Sequence, residues 1–222
     1  MGSEIEGKKK PEKINMTSYF LDENISQGRG KRIAVYCRNE SFTYNDIYAL
    51  TNRVGNVLKE LGVEIEDRVY LTLGDSPELV ASFYGAIKVG AVATLAYTYL
   101  SPEDYAYEVN YIRPKVVVAD DTCIDRIREA TKDTKYPKAI LVVSKSPSSL
   151  KEREYDFYSM VKGADEHLEA EPTSGDDIFF WDFSGGTTGR RKGVPHRHYD
   201  PVWAFETYQQ VIHYTKDDII LS

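Results

Sequence analysis

Between Val69 and Val143, apolar runs of strand length alternate with segments patterned as helices, and no other feature constrains the fold as much. The runs are Val69 to Leu73, Ala91 to Ala96, Val116 to Ala119 and Ala139 to Val143. Two of the intervening helices open with the same device, Ser76-Pro77 and Ser101-Pro102. The serine hydroxyl caps exposed backbone N–H groups, and proline takes the first helical position, where its missing N–H costs nothing. The first of these helices runs to about Val89 and is stopped by Gly90, the second runs to about Tyr111, and Thr122 to Thr131 supplies a third. Strands joined by helices of this length need right-handed crossovers, which make neighbouring strands parallel. The expected fold class is α/β, a mostly parallel doubly wound sheet flanked by helices.

Upstream, Ile33 to Cys37 is of strand length and a turn-rich patch, Arg38 to Ser41, follows. Thr43 offers a cap to a helix running to about Leu61, with Ile47, Leu50, Val54, Val57, Leu58 and Leu61 on one stripe and Gly62 as its left-handed stop. Residues 1–14, rich in lysine, read as a flexible lead-in, and residues 15–222 as the folded unit. Ser144 to Glu154 reads as a long surface loop, followed by a weak helix near Tyr155 to Val161.

Composition excludes several classes. With 41% hydrophobic residues over 222 positions a substantial core can form. A net charge of −7 argues against a nucleic-acid surface, and the 17 tyrosines are better explained by packing than by base stacking. No apolar run reaches the roughly 18 residues of a membrane helix. The N-terminus carries no signal-peptide core, and Glu6 stands where a myristoylation motif wants Ser or Thr. Cys37 and Cys123 lack the spacing of a zinc or redox pair, so a reducing, cytoplasmic setting is expected.

The chemistry concentrates between Asp177 and His198. Ile178-Phe179-Phe180-Trp181-Asp182-Phe183 reads as an aromatic strand, and it leads into Ser184-Gly185-Gly186-Thr187-Thr188-Gly189-Arg190-Arg191-Lys192-Gly193-Val194. Three glycines and three hydroxyls in six residues bury little apolar area. Glycines let the backbone turn tightly and aim successive N–H groups at an anion, hydroxyls add donors, and Lys192 with the arginines adds positive charge. That set suits the phosphates of a nucleotide; a solvated glycine hairpin is the plainer alternative. The spacing matches neither a Walker loop nor a dinucleotide fingerprint. His196 and His198 have ligand spacing but no third partner nearby, which disfavours a metal. Trp203, Phe205 and Tyr208 fall on an expected helix after Pro201, where a core stripe is the default reading for at least two of them.

Phe183 to Val194 resembles the phosphate-binding signature of the adenylate-forming superfamily, which includes acyl-CoA synthetases, peptide-synthetase adenylation domains and luciferases. Phe183, Ser184, Gly186, Thr187, Thr188, Gly189, Lys192, Gly193 and Val194 match the pattern position by position. Gly185 stands where the pattern has Ser, removing a hydroxyl donor. Arg191 stands where it has Pro, which is expected to loosen the turn before the lysine. Phe42-Thr43-Tyr44, Asp75-Ser76-Pro77-Glu78 and Gly85 to Val92 resemble earlier parts of the same pattern. Gly28-Arg29-Gly30-Lys31, Leu100 to Tyr105 and Asp200-Pro201-Val202-Trp203 are similar to the benzoate-CoA ligase branch.

The resemblance implies an acid–thiol ligase using ATP, Mg2+ and coenzyme A. A carboxylate is joined to AMP with loss of pyrophosphate, and coenzyme A then displaces AMP. Ser184, Gly185, Gly186, Thr187, Thr188, Gly189 and Lys192 would hold the nucleotide phosphates, and the acid would be aromatic or medium-chain. Residues 15–222 would be the N-terminal portion of an AMP-binding domain. The family's adenine, ribose and magnesium ligands and its catalytic lysine would lie beyond Ser222, so a chain of this extent is expected to be inactive alone. Its partners would be a small-molecule carboxylate, with no nucleic acid or membrane, and a second copy or a separate C-terminal half. The rival reading is a non-catalytic interaction module.

Overall fold

The computed structural model describes residues 12–146, 149–185, 189–215 and 217–221. Its centre is a seven-stranded sheet in the order β7-β6-β5-β3-β4-β8-β9. The strands are β3 (Arg68–Thr72), β4 (Val92–Leu95), β5 (Val116–Asp120), β6 (Ala139–Val143), β7 (Glu154–Asp156), β8 (Ile178–Ser184) and β9 (Lys192–Arg197). Every pairing is parallel except β8 with β9. The expected doubly wound α/β sheet is therefore present, with an antiparallel strand at one edge.

Local signals act where the sequence puts them. Helix α2 (Tyr44–Glu60) begins with a capping box. Thr43 Oγ1 accepts from the Asp46 N–H at 3.2 Å, and Asp46 Oδ2 accepts from the Thr43 N–H at 2.7 Å. In α3 (Pro77–Lys88) the Ser76 hydroxyl accepts from Leu79, and in α4 (Pro102–Ile112) that of Ser101 accepts from Asp104. The chain after α2 and after α3 turns through Gly62 at φ 79° and Gly90 at φ 76°, where a side chain would be strained.

The strands alternate between two buried faces. Val69, Leu71, Ala93, Val116, Val118 and Leu141 face α2, α3 and α6 (Phe157–Gly163). Tyr70, Val117, Ala119, Ile140 and Phe183 face α4 and α5 (Ile124–Thr131). At about 25 cal/mol per Å2, burial on both faces is the dominant stabilising term. The incoming chain is tied to the α3 side, where a π-helical turn, Ser18–Asp22, runs into α1 (Glu23–Ser26). Lys88, 1% exposed, pairs there with Asp22 at 2.8 Å.

Four segments differ from expectation. The turn-rich patch after β1 (Ile33–Cys37) turns only at Arg38-Asn39, because β2 (Glu40–Thr43) pairs back on β1 as a separate two-stranded sheet. The expected helix near Tyr155 starts only at Phe157, capped by Asp156. The residues before it complete the open edge of β6, where Arg128 forks onto the buried Glu154 carboxylate at 2.8 and 2.7 Å. The basic flank Lys192–Arg197, to which the sequence assigns no element, is strand β9. Helix α7 (Tyr199–Ile212) starts two residues before Pro201 and does not bury a core stripe: Phe205 is 45% and Tyr208 58% exposed, and Trp203 is half-buried. Lys13 and Ile14 pair with Ser174 and Thr173.

Candidate functional site

All the parallel strands end on the same side of the sheet, and β8 ends there in the Gly-rich segment. Ser184 sits opposite Lys192 and Phe183 opposite Gly193, so the segment is the connection of a β8–β9 hairpin. Residues directly opposite share a face, which places Asp182, Ser184, Lys192 and Val194 on one side and Phe183 with Gly193 on the other. The second side packs on α4. A Cβ on Gly193 would meet Tyr111 at 3.1 Å, so a side chain there would crowd the ring that lies edge-on to Trp181 and Phe183.

Of the expected phosphate-binding residues, Gly186, Thr187 and Thr188 lie outside the described residues. Ser184 sits at the stem, its hydroxyl 3.4 Å from the Lys192 carbonyl. A Cβ placed on Gly185 or Gly189 would meet no atom of the described residues within 4 Å. Gly189 adopts φ 130°, a conformation that L side chains rarely take. Lys192 and Arg190 are exposed, and Arg190 lies 5.0 Å over the Tyr107 ring. The stem therefore brings Ser184, Gly185, Gly189 and Lys192 to one end of the hairpin, with positive charge beside them.

Arg191, where a looser turn was expected, has partners on its side chain and on its backbone. Its Nη1 lies 2.5 Å from Glu108 Oε1, its Nη2 donates to the Phe183 carbonyl at 3.1 Å, and its carbonyl accepts from the Tyr107 hydroxyl at 2.9 Å. Glu108 is fully buried, and its Oε2 accepts from the Tyr70 hydroxyl at 2.5 Å. Burial pushes the Glu108 carboxyl above its ordinary range, against the opposing pull of the Tyr70 hydroxyl and Arg191. Sequence reasoning passed over Glu108 and Tyr70. The signal was available: Tyr105, Glu108, Val109 and Ile112 follow helical spacing, and a carboxylate on a buried stripe demands a cation.

His198 has no metal-like surroundings. It is 1% exposed, stacks on Phe179 at 5.1 Å, and its Nδ1 accepts from the Met16 N–H at 3.1 Å. Burial lowers its pKa to about 4. His196 stacks on Phe180.

Two clefts open at the carboxyl ends of the strands. One, of about 390 Å3, lies beside the hairpin and is lined by Gly74, Tyr97, Tyr99, Asp182 and Arg191. The other, of about 730 Å3, lies where the winding reverses between β3 and β5, the position at which open α/β sheets usually bind ligands. Its wall carries Glu40, Asp75, Glu78, Asp120, Asp121 and Asp125 against Arg38 and Lys145, a net negative set that disfavours phosphate. Electrostatics therefore favours the hairpin end for an anion. A more apolar groove of about 530 Å3, between Ile14, Tyr19, Pro172, Val202 and Trp203, is lined by none of the hairpin's residues.

Known proteins with similar chains agree with one another. The family model described as AMP-binding enzyme matches residues 21–222. A 4-hydroxybenzoate/benzoate CoA ligase from Rhodopseudomonas palustris is 34% identical over 203 residues, covering 91% of this chain and 37% of the relative. A benzoate CoA ligase from Thauera aromatica is 27% identical over 96% of this chain and 40% of its own length. Among solved structures, an anthranilate CoA ligase in complex with anthranoyl-AMP superposes with a TM-score of 0.82 at 31% identity, covering 88% of this chain and 37% of that one. A benzoate CoA ligase from Burkholderia xenovorans gives 0.80 at 25% identity, covering 92% and 39%. The chain thus spans 37% to 40% of the length of these relatives. Among the described residues no helix is long and apolar enough to cross a membrane.

Proposed function

The chain belongs to the AMP-binding enzyme family, and from that premise we propose that residues 15–222 are the N-terminal portion of the AMP-binding domain of an ATP-dependent acyl-CoA synthetase. The reaction is the two-step ligation of a carboxylate to coenzyme A, through an acyl-adenylate and with release of pyrophosphate and AMP. One observation carries this reading: a glycine-rich hairpin at the carboxyl end of a parallel strand, with Gly185 and Gly189 uncrowded by any described residue and Arg190 and Lys192 exposed.

Ser184, Gly185, Gly186, Thr187, Thr188, Gly189 and Lys192 are the proposed phosphate-holding residues. Backbone N–H groups and hydroxyls would donate to phosphate oxygens, and Lys192 would offset their charge. Mg2+, when bound, neutralises phosphate charge further. Among the described residues no three His, Cys, Asp or Glu side chains cluster to hold it. The proposed acid is aromatic, the class named for the hydroxybenzoate, benzoate and anthranilate ligases. Two unpaired, widely separated thiols support a reducing, cytoplasmic setting.

Calorimetric titration with Mg-ATP tests the reading. The chain is expected to bind, and Lys192→Ala to bind roughly tenfold more weakly, the cost of one charge-assisted contact. Equal affinity of the two proteins refutes the assignment of Lys192.

Exposed apolar side chains on α7, among them Phe205, Tyr208 and Val211, favour a second reading alongside the first, in which this surface pairs with a separate C-terminal half or a second copy. Sedimentation that stays monomeric at high concentration counts against self-association.

A further inference from the structure

Among the described residues of the hairpin, one that stands immediately before Lys192 is held from several directions. Arg191 is held by its side chain and its backbone at once. The guanidinium bonds Glu108 at 2.5 Å and the Phe183 carbonyl at 3.1 Å. It also lies 5.0 Å over the Tyr97 ring and 5.8 Å over the Phe183 ring, while the Arg191 carbonyl takes the Tyr107 hydroxyl at 2.9 Å. Glu108 in turn holds the hydroxyl of Tyr70, which is fully buried on the central strand β3. The line of contacts runs from the middle of the sheet, through α4, to the residue that immediately precedes Lys192.

We infer that Arg191 is a positioning residue, anchored on the buried Glu108–Tyr70 pair, which holds the stem of the phosphate hairpin in register and sets where Lys192 stands. Its charge is taken up by Glu108, so Arg190 and Lys192 are the cations of the hairpin left to meet an anion. A one-residue slip of β9 would move Lys192 to the α4 side of the sheet, since successive side chains alternate faces. The guanidinium's bonds to Glu108, on the α4 side, and to the Phe183 carbonyl oppose that slip. A guanidinium suits this task because its donors are fixed in one plane, with faces free to stack on Tyr97 and Phe183.

This inference rests on the phosphate-hairpin reading for its functional consequence, though not for the anchorage itself. Two variants separate positioning from mere charge balance. Arg191→Met leaves Glu108 buried without its cation, so both the melting temperature and Mg-ATP affinity should fall. Replacing the whole pair, with Glu108→Met and Arg191→Met together in a Tyr70→Phe background whose hydroxyl would otherwise lose its acceptor, removes the unpaired charge and should restore most of the melting temperature, because buried pairs can be exchanged for apolar side chains at little net cost. In the double variant Mg-ATP affinity should stay roughly tenfold below wild type, the loss of one hydrogen bond to a charged group. Its salt dependence should be unchanged, whereas Lys192→Ala should flatten it. In the absence of nucleotide, amide hydrogens of residues 189–193 should exchange faster in both variants than in wild type.

A double variant that regains affinity and exchange protection together with its melting temperature overturns the inference, since Arg191 would then only neutralise Glu108. Wild-type protein that fails to bind Mg-ATP removes the phosphate reading instead, and the nucleotide-free exchange measurement still decides the anchorage.

Discussion

Acid should weaken this fold through one histidine, and the effect can be worked out from its surroundings. His198 sits just before α7 with its ring against Phe179, and its Nδ1 accepts the Met16 N–H. An accepting Nδ1 requires the neutral ring with its proton on Nε2. Protonation would place a second proton against the Met16 N–H and leave a buried cation, with Asp177 the nearby carboxylate that partly offsets it. The folded-state pKa of about 4 lies below the unfolded value of 6.5. The unfolded chain therefore binds more protons between these values, and stability is complete above pH 6.5 and lost as pH falls toward 4. At pH 5 the loss is about 2 kcal/mol, and it approaches about 3 kcal/mol at the acid end, with 1.36 kcal/mol for each unit of separation. Urea unfolding at pH 7 and pH 5 measures it, with His198→Asn as the control because its amide oxygen can still accept from Met16. Wild type should lose about 2 kcal/mol more than the variant between the two pH values. Parallel losses in both proteins would refute the assignment, since the acid sensitivity would then belong to other groups.

Two further expectations follow from the same structure. Arg128→Ala should destabilise by about 3 kcal/mol, because it strips the cation from Glu154, whose side chain is 2% exposed, and hydrogen exchange should then speed up across Glu154–Asp156 before the rest of the sheet. Gly189→Ala should cost on the order of 1–3 kcal/mol of backbone strain at φ 130° while meeting no atom of the described residues. Weakened Mg-ATP binding in that variant, with the Gly185→Ala protein close to wild type in stability, would separate backbone strain from crowding.

The resemblance to the benzoate-CoA ligase branch, carried by short motifs, agrees with the relatives described above, and the doubly wound α/β sheet agrees with the strand–helix alternation. Helix starts at Thr43, Ser76 and Ser101 and the glycines at 62 and 90 were readable because each acts over one turn of chain. The hairpin's glycines and hydroxyls were conspicuous for the same reason: no core could use them. What the pattern could not show was pairing at long range. Lys192–Arg197 has no strand-like alternation of its own and becomes β9 only because β8 has an open edge to fill. Glu154–Asp156 is strand because β6 offers an edge and Arg128, on another element, neutralises Glu154. Helix α7 matches a core helix by composition, yet its aromatic face is exposed, since burial depends on what lies opposite.

Arg191 shows the same division at the candidate site. From sequence it stands beside a loop where the related pattern has proline, and flexibility is the natural expectation. In the fold it stands beside Glu108, 83 positions away in the chain, and is anchored on it. Capping, turn chemistry and hydrophobic period are properties of a few consecutive residues and are written in their order. Strand order, the partner of a buried charge and the exposure of a helix face depend on which distant segments meet, and only the packed tertiary structure decides them.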